Sequence, residues 1–221
     1  MSLNERGAAL LARGSRARMR GRWFRDYDGA TMSTVPDTDI VAQYDRALAA
    51  AQRIADGVRP DQWSAPTPCT EWDVRALLNH VVTGNLLFTA NIRGEEPPDR
   101  TRDHLGGDPA AALAATGREL RDAFVEPGVM DRTHPTPLGE MPGPVLVNMR
   151  TTELMVHGWD LARATGQPAD LPEDLAEQAL ALWRSRLGGA PREGLPFAAE
   201  QAAPDGASAG DRLAAFLGRK V

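Results

Sequence analysis

The sequence predicts an all-α protein built as a bundle of helices. Apolar residues recur at helical spacing in several long segments, and glycine or proline separates those segments from one another. No convincing series of strands accompanies them, which favours helix-on-helix packing. The chain has 221 residues, of which 42% are hydrophobic. This is enough for one core and a small appendage, but a second full domain does not fit.

The first 35 residues differ in composition from the rest. Residues 1–30 contain seven arginines against three acidic residues, whereas the whole chain has a net charge of −5. The arginines interrupt any apolar run, which argues against a secretory signal. Met32 resembles an alternative start, so we expect residues 1–35 to be a basic, disordered extension. A basic arm that contacts an acidic partner is the alternative, and residues 36–221 are the expected helical domain.

The first predicted helix follows residues 36–39 and ends at Gly57. The next segment, residues 59–68, contains three prolines and is expected to be an extended linker. The apolar face of the helix is formed by residues at helical spacing, namely Ile40, Tyr44, Ala47, Leu48, Ala51 and Ile54.

The second predicted helix runs from Glu71 to Ile92. Thr70 is followed three residues later by Asp73, a pattern typical of a capping box at a helix start. Its apolar stripe is interrupted by His80, and Gly84, one turn later, is expected to leave room beside that imidazole. The stripe itself consists of Val74, Leu77, Leu78, Val81 and Phe88.

Three further helices and a short terminal one are predicted in the second half. The third runs from Pro109 to Phe124, with proline at its first turn. The region from Gly128 to Pro144 is rich in proline and glycine and has room for a short hairpin. The fourth helix extends from Val145 to Thr165 and ends at a Gly-Gln-Pro stop signal. A fifth extends from Glu173 to Leu187, and Asp211 to Leu217 forms a short terminal helix at most.

Polar residues occupy positions on these helices that would otherwise be buried and apolar. Glu153 and His157 lie one turn apart on the fourth helix, about 40° from each other around its axis. Asp160 points in the same direction, and His80 is placed in a similar way on the second helix. Burying unpaired charge costs several kcal/mol, so these groups need partners. His80, Glu153 and His157 would together form a site for a divalent metal with one open position.

Two imidazoles and one carboxylate suit zinc in a catalytic arrangement, with water or substrate as the fourth ligand. Nickel, cobalt, manganese or ferrous iron use similar ligands, because selectivity depends on geometry and supply. Asp160 would either accept the second N–H of the His157 imidazole or lie near the metal itself. The structural alternative is a hydrogen-bonded Glu-x-x-x-His pair on one helix and a satisfied core histidine on the other.

Other chemically notable residues receive ordinary interpretations. His104 and His134 fall in polar loops, where histidines are mostly surface residues. Cys69 is read as a small buried residue, with a reactive thiol at a helix N-terminus as the alternative. Trp72 and Trp159 are read as packing anchors.

Several function classes are disfavoured. The net charge of −5 gives no sign of nucleic-acid binding, and no apolar run is long enough to span a membrane. The single cysteine allows no intramolecular disulfide, which suits a reducing cytoplasm, the expected location. The sequence contains no Gly-rich phosphate loop, no Gly-x-Ser-x-Gly elbow and no Cys-x-x-Cys pair.

Two segments resemble the signatures of a known family. The segment from Pro68 to Val81 resembles the C-x-x-W-x-V-x-x-L-x-x-H pattern of the metal-binding domain of mycothiol-dependent maleylpyruvate isomerases. The segment from Thr152 to Ala162 resembles the second signature of that domain. The resemblance spans Ile40 to Leu187, and the segment from Asp211 to Arg219 is similar to uncharacterised actinobacterial members.

The resemblance implies a DinB-like four-helix bundle with a crossover connection, here with an extra C-terminal helix. It implies that His80, Glu153 and His157 are metal ligands, with zinc as the expected ion and nickel or another metal as alternatives. It also implies a low-molecular-weight thiol, mycothiol or bacillithiol, as co-substrate and a metal-bound thiolate as nucleophile. The expected function is a thiol-dependent transferase or isomerase whose substrate, an electrophilic small molecule, is unknown.

One departure from the family bears on the reaction. The isomerases carry an additional C-terminal domain that contributes to catalysis, and too little chain follows the fifth helix here to build it. Maleylpyruvate isomerisation is therefore in doubt, whereas S-transfer or detoxification remains open.

The main alternative is a non-catalytic metal-binding or regulatory module, and metal-assisted hydrolysis is a third hypothesis. No nucleic-acid or membrane partner is expected. A homodimer is compatible with a bundle of this kind, because such bundles often pair through helix faces.

Overall fold

Four helices form the body of the protein: α1 (Asp37–Asp56), α2 (Val74–Arg93), α3 (Pro109–Phe124) and α4 (Gly143–Thr165). The computed structural model describes residues 37–136, 139–187, 192 and 197–221. Helices α1 and α2 each pack against both α3 and α4. Helices α1 and α2, which are consecutive in the chain, therefore lie at opposite corners of the bundle. The segment that connects them crosses the bundle. The predicted all-α four-helix architecture is confirmed.

The core of the bundle is filled by side chains from all four helices. Tyr44 of α1 lies edge-on to Phe124 of α3, with ring centroids 5.3 Å apart, and its hydroxyl donates a hydrogen bond to the carbonyl of Gly117. The largest fully buried side chains of these helices are Tyr44, Leu77, Leu113, Leu120, Phe124, Leu146, Leu154, Met155 and Trp159. Their burial follows the apolar stripes seen in the sequence.

Helix α2 begins later than its sequence pattern predicts. Its first residue is Val74, and the Asp73 carboxylate accepts a hydrogen bond from the backbone N–H of Ala76. Thr70 lies in the preceding turn, so the prediction of a helix starting at Glu71 behind a Thr70 cap is wrong. An isolated antiparallel bridge between Pro66 and Asp73 holds the backbone before α2 extended, which gives Asp73 the non-helical conformation an N-cap needs.

The ends of α3 and α4 agree with the sequence signals. The Asp108 side chain accepts a hydrogen bond from the N–H of Ala111, and Pro109 follows in the first helical turn. Helix α4 ends at Gly166, whose N–H donates to the carbonyl of Ala162.

A short hairpin and two more helices complete the described fold. Strands β1 (Thr133–Thr136) and β2 (Gly139–Pro142) pair antiparallel in the segment where a short hairpin was predicted. Helices α5 (Glu173–Leu187) and α6 (Ala209–Phe216) pack against each other and against α4. The extra C-terminal helix is thus attached to the same helix that carries Glu153 and His157.

Some sequence predictions concern residues outside the described part of the chain. The basic extension, residues 1–35, is one, so its disorder and the domain boundary at residue 36 stay predictions. The segment between α5 and α6 is described only at residues 192 and 197–208. Among the described residues, no helix is both long enough and apolar enough to cross a membrane.

Candidate metal centre

Three side chains from two helices converge between α2 and α4. The Nε2 atom of His80 lies 3.2 Å from Oε2 of Glu153, and Nε2 of His157 lies 3.6 Å from the same oxygen. One ligand-type atom from each residue lies within 4.8 Å of the other two. The two imidazole rings meet edge to face, with centroids 5.1 Å apart. The structure therefore brings together the three residues that the sequence nominates as ligands.

The spacing of these atoms fits a small divalent cation. Two ligand atoms at about 2.0 to 2.1 Å from a tetrahedral zinc ion lie about 3.3 Å apart. The shortest observed separations, 3.2 Å and 3.6 Å, are close to that value. Two imidazole nitrogens and one carboxylate oxygen are also a common donor set for zinc with one position open. The residues fit the ion, and their role as ligands stays a prediction.

Solvent reaches one side of the centre. The side chains of His80 and Glu153 are 33% and 38% exposed, whereas that of His157 is 9% exposed. A small molecule can therefore approach from the side of His80 and Glu153, while His157 forms the inner wall.

Arg150 is a buried cation beside Glu153 that sequence reasoning missed. Its Nη1 atom lies 3.6 Å from Oε2 of Glu153, and only 3% of its side chain is exposed. Its Nη2 atom donates to the carbonyl of Val81 and to Oδ1 of Asn85, at 3.0 Å and 2.8 Å. The guanidinium thus connects α4 to α2 and supplies positive charge to the ligand carboxylate.

Gly84 makes the position of Arg150 feasible. A Cβ atom at Gly84 would lie 2.4 Å from Nη1 of Arg150, closer than real Cβ contacts. The sequence predicts that Gly84 leaves room for the His80 imidazole, but in the structure the arginine guanidinium occupies that room. The position of Gly84 on α2 correctly predicts that another side chain approaches closely. That side chain is Arg150 and not His80.

The charges around Glu153 and His80 favour the metal-binding forms of both. Burial opposes ionisation of Glu153, but its hydrogen bond with His80 and the nearby His157 and Arg150 hold its pKa well below its usual range. Burial lowers the pKa of His80, with Glu153 acting in the opposite direction. An ionised carboxylate and a neutral imidazole are the states that bind a divalent cation.

Asp160 sets the orientation of His157. The Nδ1–H of His157 donates to Oδ2 of Asp160 at 3.1 Å, so in the neutral imidazole Nε2, on the side of Glu153, is the nitrogen free to bind a metal. This is the first of the two arrangements that the sequence allowed for Asp160. Burial opposes ionisation of Asp160, but hydrogen bonds from His157 and Arg219 hold its pKa below the usual range.

Trp72 covers the outer imidazole. Its ring stacks on His80 with centroids 4.4 Å apart and planes 27° apart, and it approaches His157 edge-on at 6.0 Å. The interpretation of Trp72 as a packing anchor holds, although what it packs against is a candidate ligand. Trp159 is a buried packing residue whose indole N–H donates to Asp211.

The remaining residues singled out by the sequence lie elsewhere or have structural roles. His104 is in a loop, where Nε2–H donates to the carbonyl of Asp99. His134 is buried in β1 and its Nε2–H donates to the carbonyl of Val129, so its interpretation as a surface residue is wrong. The reason is the hairpin, which turns this side chain inward opposite Met141.

Cys69 has the environment of a structural thiol. It is partly buried in the turn before α2 and packs against the core. Burial raises its pKa to about 11, and Asp160 adds to the effect. Because α2 starts only at Val74, Cys69 lies outside the first helical turn, which removes the basis for a thiol activated by a helix N-terminus.

Comparison with known proteins gives the family. A family described as the mycothiol maleylpyruvate isomerase N-terminal domain matches residues 41–162, which include all three candidate ligands. The chain belongs to this family. The resemblance that the two signature segments predict is therefore confirmed.

Relatives and solved structures agree with this assignment. Two uncharacterised proteins from two strains of Mycobacterium tuberculosis are each 41% identical over 185 residues, which cover 83% of this chain and 99% of the relative. The crystal structure of a mycothiol-dependent maleylpyruvate isomerase superposes with a TM-score of 0.55 at 18% identity, covering 68% of this chain and 72% of that one. A mutant of that isomerase gives a TM-score of 0.56 at 17% identity over the same shares. This likeness confirms the DinB-like helical fold.

Proposed function

We propose that this protein is a metal-dependent enzyme that uses a low-molecular-weight thiol of the mycothiol type to transform an electrophilic small molecule. The reaction class is S-transfer or isomerisation, and His80, Glu153 and His157 hold the cation. The observation that carries the proposal is the convergence of their three ligand-type atoms within 4.8 Å, on side chains that all lie in the family-matched region, residues 41–162.

Each neighbouring residue has a defined task in this proposal. Arg150 holds the Glu153 carboxylate ionised and in place, and Asp160 keeps the Nδ1 proton on His157. Trp72 stacks on one face of the His80 ring and holds its orientation. When bound, a divalent cation would lower the pKa of a coordinating thiol and so favour the nucleophilic thiolate. The partial exposure of His80 and Glu153 gives the thiol a path to the open position.

The solved relatives support the choice of a thiol co-substrate. Both superposed structures are of a mycothiol-dependent maleylpyruvate isomerase. This chain shares their fold, and the thiol is proposed on that basis together with the family match. The electrophile is therefore proposed only as a class, a small molecule with a carbon open to attack by a thiolate.

Metal content tests the foundation of the proposal. Purified protein, loaded with zinc and dialysed without chelator, is expected to retain about one equivalent by elemental analysis. His80→Ala, Glu153→Ala and His157→Ala are expected to lose most of it. His104→Ala is the matched control, because this histidine lies in a loop and bonds to a backbone carbonyl. Retention of a full equivalent by the three ligand variants would contradict the assigned site.

Thiol use is tested separately with cobalt in place of zinc. Addition of mycothiol is expected to produce a sulfur-to-cobalt charge-transfer band, which requires the thiol sulfur to join the ligand set. Conjugation of mycothiol to a generic electrophile such as monochlorobimane is then expected to depend on the metal and on Glu153. A spectrum unchanged by mycothiol, bacillithiol and cysteine would sink the thiol part of the proposal.

A non-catalytic metal-binding module is the second candidate. The observation favouring it is that the family match covers residues 41–162 and is described as an N-terminal domain. Metal-loaded protein that shows no conjugation with any thiol, yet becomes more resistant to unfolding on metal binding, would favour this candidate.

A further inference from the structure

We infer that Arg219, near the C-terminus, is a positioning residue for the candidate ligand His157. It orients Asp160, and Asp160 in turn holds the Nδ1 proton of His157 and points Nε2 at the metal position. This inference rests on the proposed metal site and adds to it a residue that lies outside the family-matched region, residues 41–162.

The contact between Arg219 and Asp160 is buried and consists of two hydrogen bonds. The Nη2 atom of Arg219 donates to Oδ2 of Asp160 at 3.0 Å, and its Nε atom donates to Oδ1 at 3.2 Å. The Asp160 side chain is fully buried and that of Arg219 is 8% exposed. A planar guanidinium bound to both carboxylate oxygens prevents rotation of the carboxylate, which a single point charge does not achieve.

The same carboxylate oxygen serves both neighbours. Oδ2 of Asp160 accepts from Arg219 and also from Nδ1 of His157, at 3.1 Å. Because Arg219 sets the direction of this oxygen, it also sets the direction of the imidazole. The hydrogen bonds of Arg219 go to Asp160 and to the carbonyl of Leu217, so its hydrogen-bonded path to the ligand set runs through Asp160.

Contacts of the C-terminal segment hold the Arg219 guanidinium in this position. Asp211 at the start of α6 accepts from the indole N–H of Trp159 at 2.8 Å and from Arg163 at 2.7 Å. After α6, Gly218 adopts a left-handed φ of 92°, and the N–H of Arg219 donates to the carbonyl of Ala214. The chain therefore turns back towards α4 after α6. Nη1 of Arg219 then donates to the carbonyl of Leu217, which fixes the guanidinium to its own segment.

Zinc affinity of the full chain gives the first test. Dissociation constants are measured by chelator competition for the unmodified protein, Arg219→Gln, Arg219→Lys and the control Arg212→Gln. Arg212 lies in α6 and pairs with Glu177 of α5, away from Asp160. Loss of a group that orients a ligand from outside the metal's own ligands costs about 10- to 100-fold in metal affinity. Because Arg219 acts through Asp160, we expect Arg219→Gln to bind zinc about tenfold more weakly, the lower end of that range, Arg219→Lys to fall in between, and Arg212→Gln to be unchanged.

A double-mutant cycle tests whether Arg219 acts through Asp160. Asp160→Asn removes the intermediate carboxylate, so adding Arg219→Gln to it is expected to change zinc affinity little further. If Arg219→Gln weakens zinc binding equally in both backgrounds, or leaves it unchanged in folded protein, the inference is wrong. Should Arg219→Gln fail to fold, Arg219→Lys is used in its place, with Arg212→Lys as its control. Both lysine variants keep the positive charge.

The tautomer of His157 provides a readout that needs no metal. In ¹⁵N spectra of metal-free protein we expect neutral His157 to carry its proton on Nδ1, and Arg219→Gln to show a mixture of tautomers. The same tautomer ratio in both proteins would overturn the inference. If the unmodified chain binds no zinc but its tautomer depends on Arg219, the proposed function fails while the positioning role stands.

Discussion

At the residue scale, Glu153 is surrounded by groups that stabilise its negative charge. Two imidazoles and the Arg150 guanidinium lie within 3.6 Å of one carboxylate oxygen. The hydrogen bond with His80 and the electrostatic effects of His157 and Arg150 explain why the pKa of this partly buried carboxylate is lowered despite burial. The arrangement depends on Gly84, because a larger residue there would collide with Arg150.

Substitution of that glycine tests the packing of Arg150. Gly84→Ala places a Cβ 2.4 Å from Nη1, so the guanidinium must move away from Asn85 and Glu153. We expect a loss of about 1 to 3 kcal/mol in unfolding free energy, typical of overpacking, instead of the usual gain from removing a helical glycine. Urea unfolding of metal-free protein measures this.

Gly158→Ala is the matched control for that experiment. Gly158 lies in α4, and its added Cβ would meet its nearest neighbour, Leu171, at 3.4 Å, an ordinary contact distance. We expect no loss of stability or a gain of about 0.5 to 1 kcal/mol. Equal effects of the two substitutions would mean that the room at Gly84 is not needed by Arg150.

At the element scale, the start of α2 decides how Trp72 meets His80. Asp73 caps the helix, and His80 follows seven residues later, about two turns along the same face. Trp72, directly before the cap, can therefore stack on the His80 ring. A helix that began at Glu71 would draw Trp72 into its first turn and away from this contact.

The identity of the cap is testable by a pair of substitutions. Asp73→Ala removes the acceptor for the N–H of Ala76 and is expected to cost about 1 kcal/mol of unfolding free energy. Thr70→Ala, at the position that the sequence pattern favours, is expected to change it by less than about 0.5 kcal/mol. Urea denaturation of both variants measures the difference, and a larger effect at Thr70 would restore the capping-box interpretation.

At the scale of the whole molecule, the C-terminal segment is joined to the bundle by ionic contacts along α4. Asp211 bonds to Trp159 and Arg163, and Arg219 bonds to Asp160, which directly follows Trp159 and lies about one helical turn before Arg163. Helix α6 therefore stabilises the same helix that carries two of the candidate ligands. The segment acts as part of the site's support and not as a separate appendage.

This attachment predicts a dependence of stability on acid. Burial opposes ionisation of Asp211, but hydrogen bonds from Trp159 and Arg163 hold its pKa below the usual value of 3.8. A lowered carboxyl pKa contributes stability above that usual value, and the contribution disappears as the pH falls below about 4. Asp211→Asn is expected to be less stable by about 1 to 2 kcal/mol at pH 7, with the difference shrinking towards pH 3.

Urea midpoints measured between pH 7 and pH 3 check this dependence. Asp205→Asn, in the exposed loop before α6, is the control and is expected to follow the unmodified protein at every pH. A stability difference for Asp211→Asn that stays constant down to pH 3 would contradict the ionic attachment.

The sequence alone determined the helices and the residues that meet at the centre. Apolar spacing, Pro109 and the stop at Gly166 are local signals, and helical structure responds to local signals. His80, Glu153 and His157 were identifiable because ionisable groups on an apolar stripe require partners. Their ligand role, which geometry alone does not establish, stays a prediction.

Only the tertiary structure decided which groups support that centre. Arg150 meets Asn85 and Arg219 meets Asp160 across 65 and 59 residues of chain, and no periodicity or spacing encodes pairs so far apart. The structure also decided the positions of His134, which a hairpin turns inward, and of Trp72, which a late helix start lays on His80, although their partners are near in sequence. Long-range pairing depends on how whole helices pack, because packing is what removes these charges from water and makes a specific partner necessary.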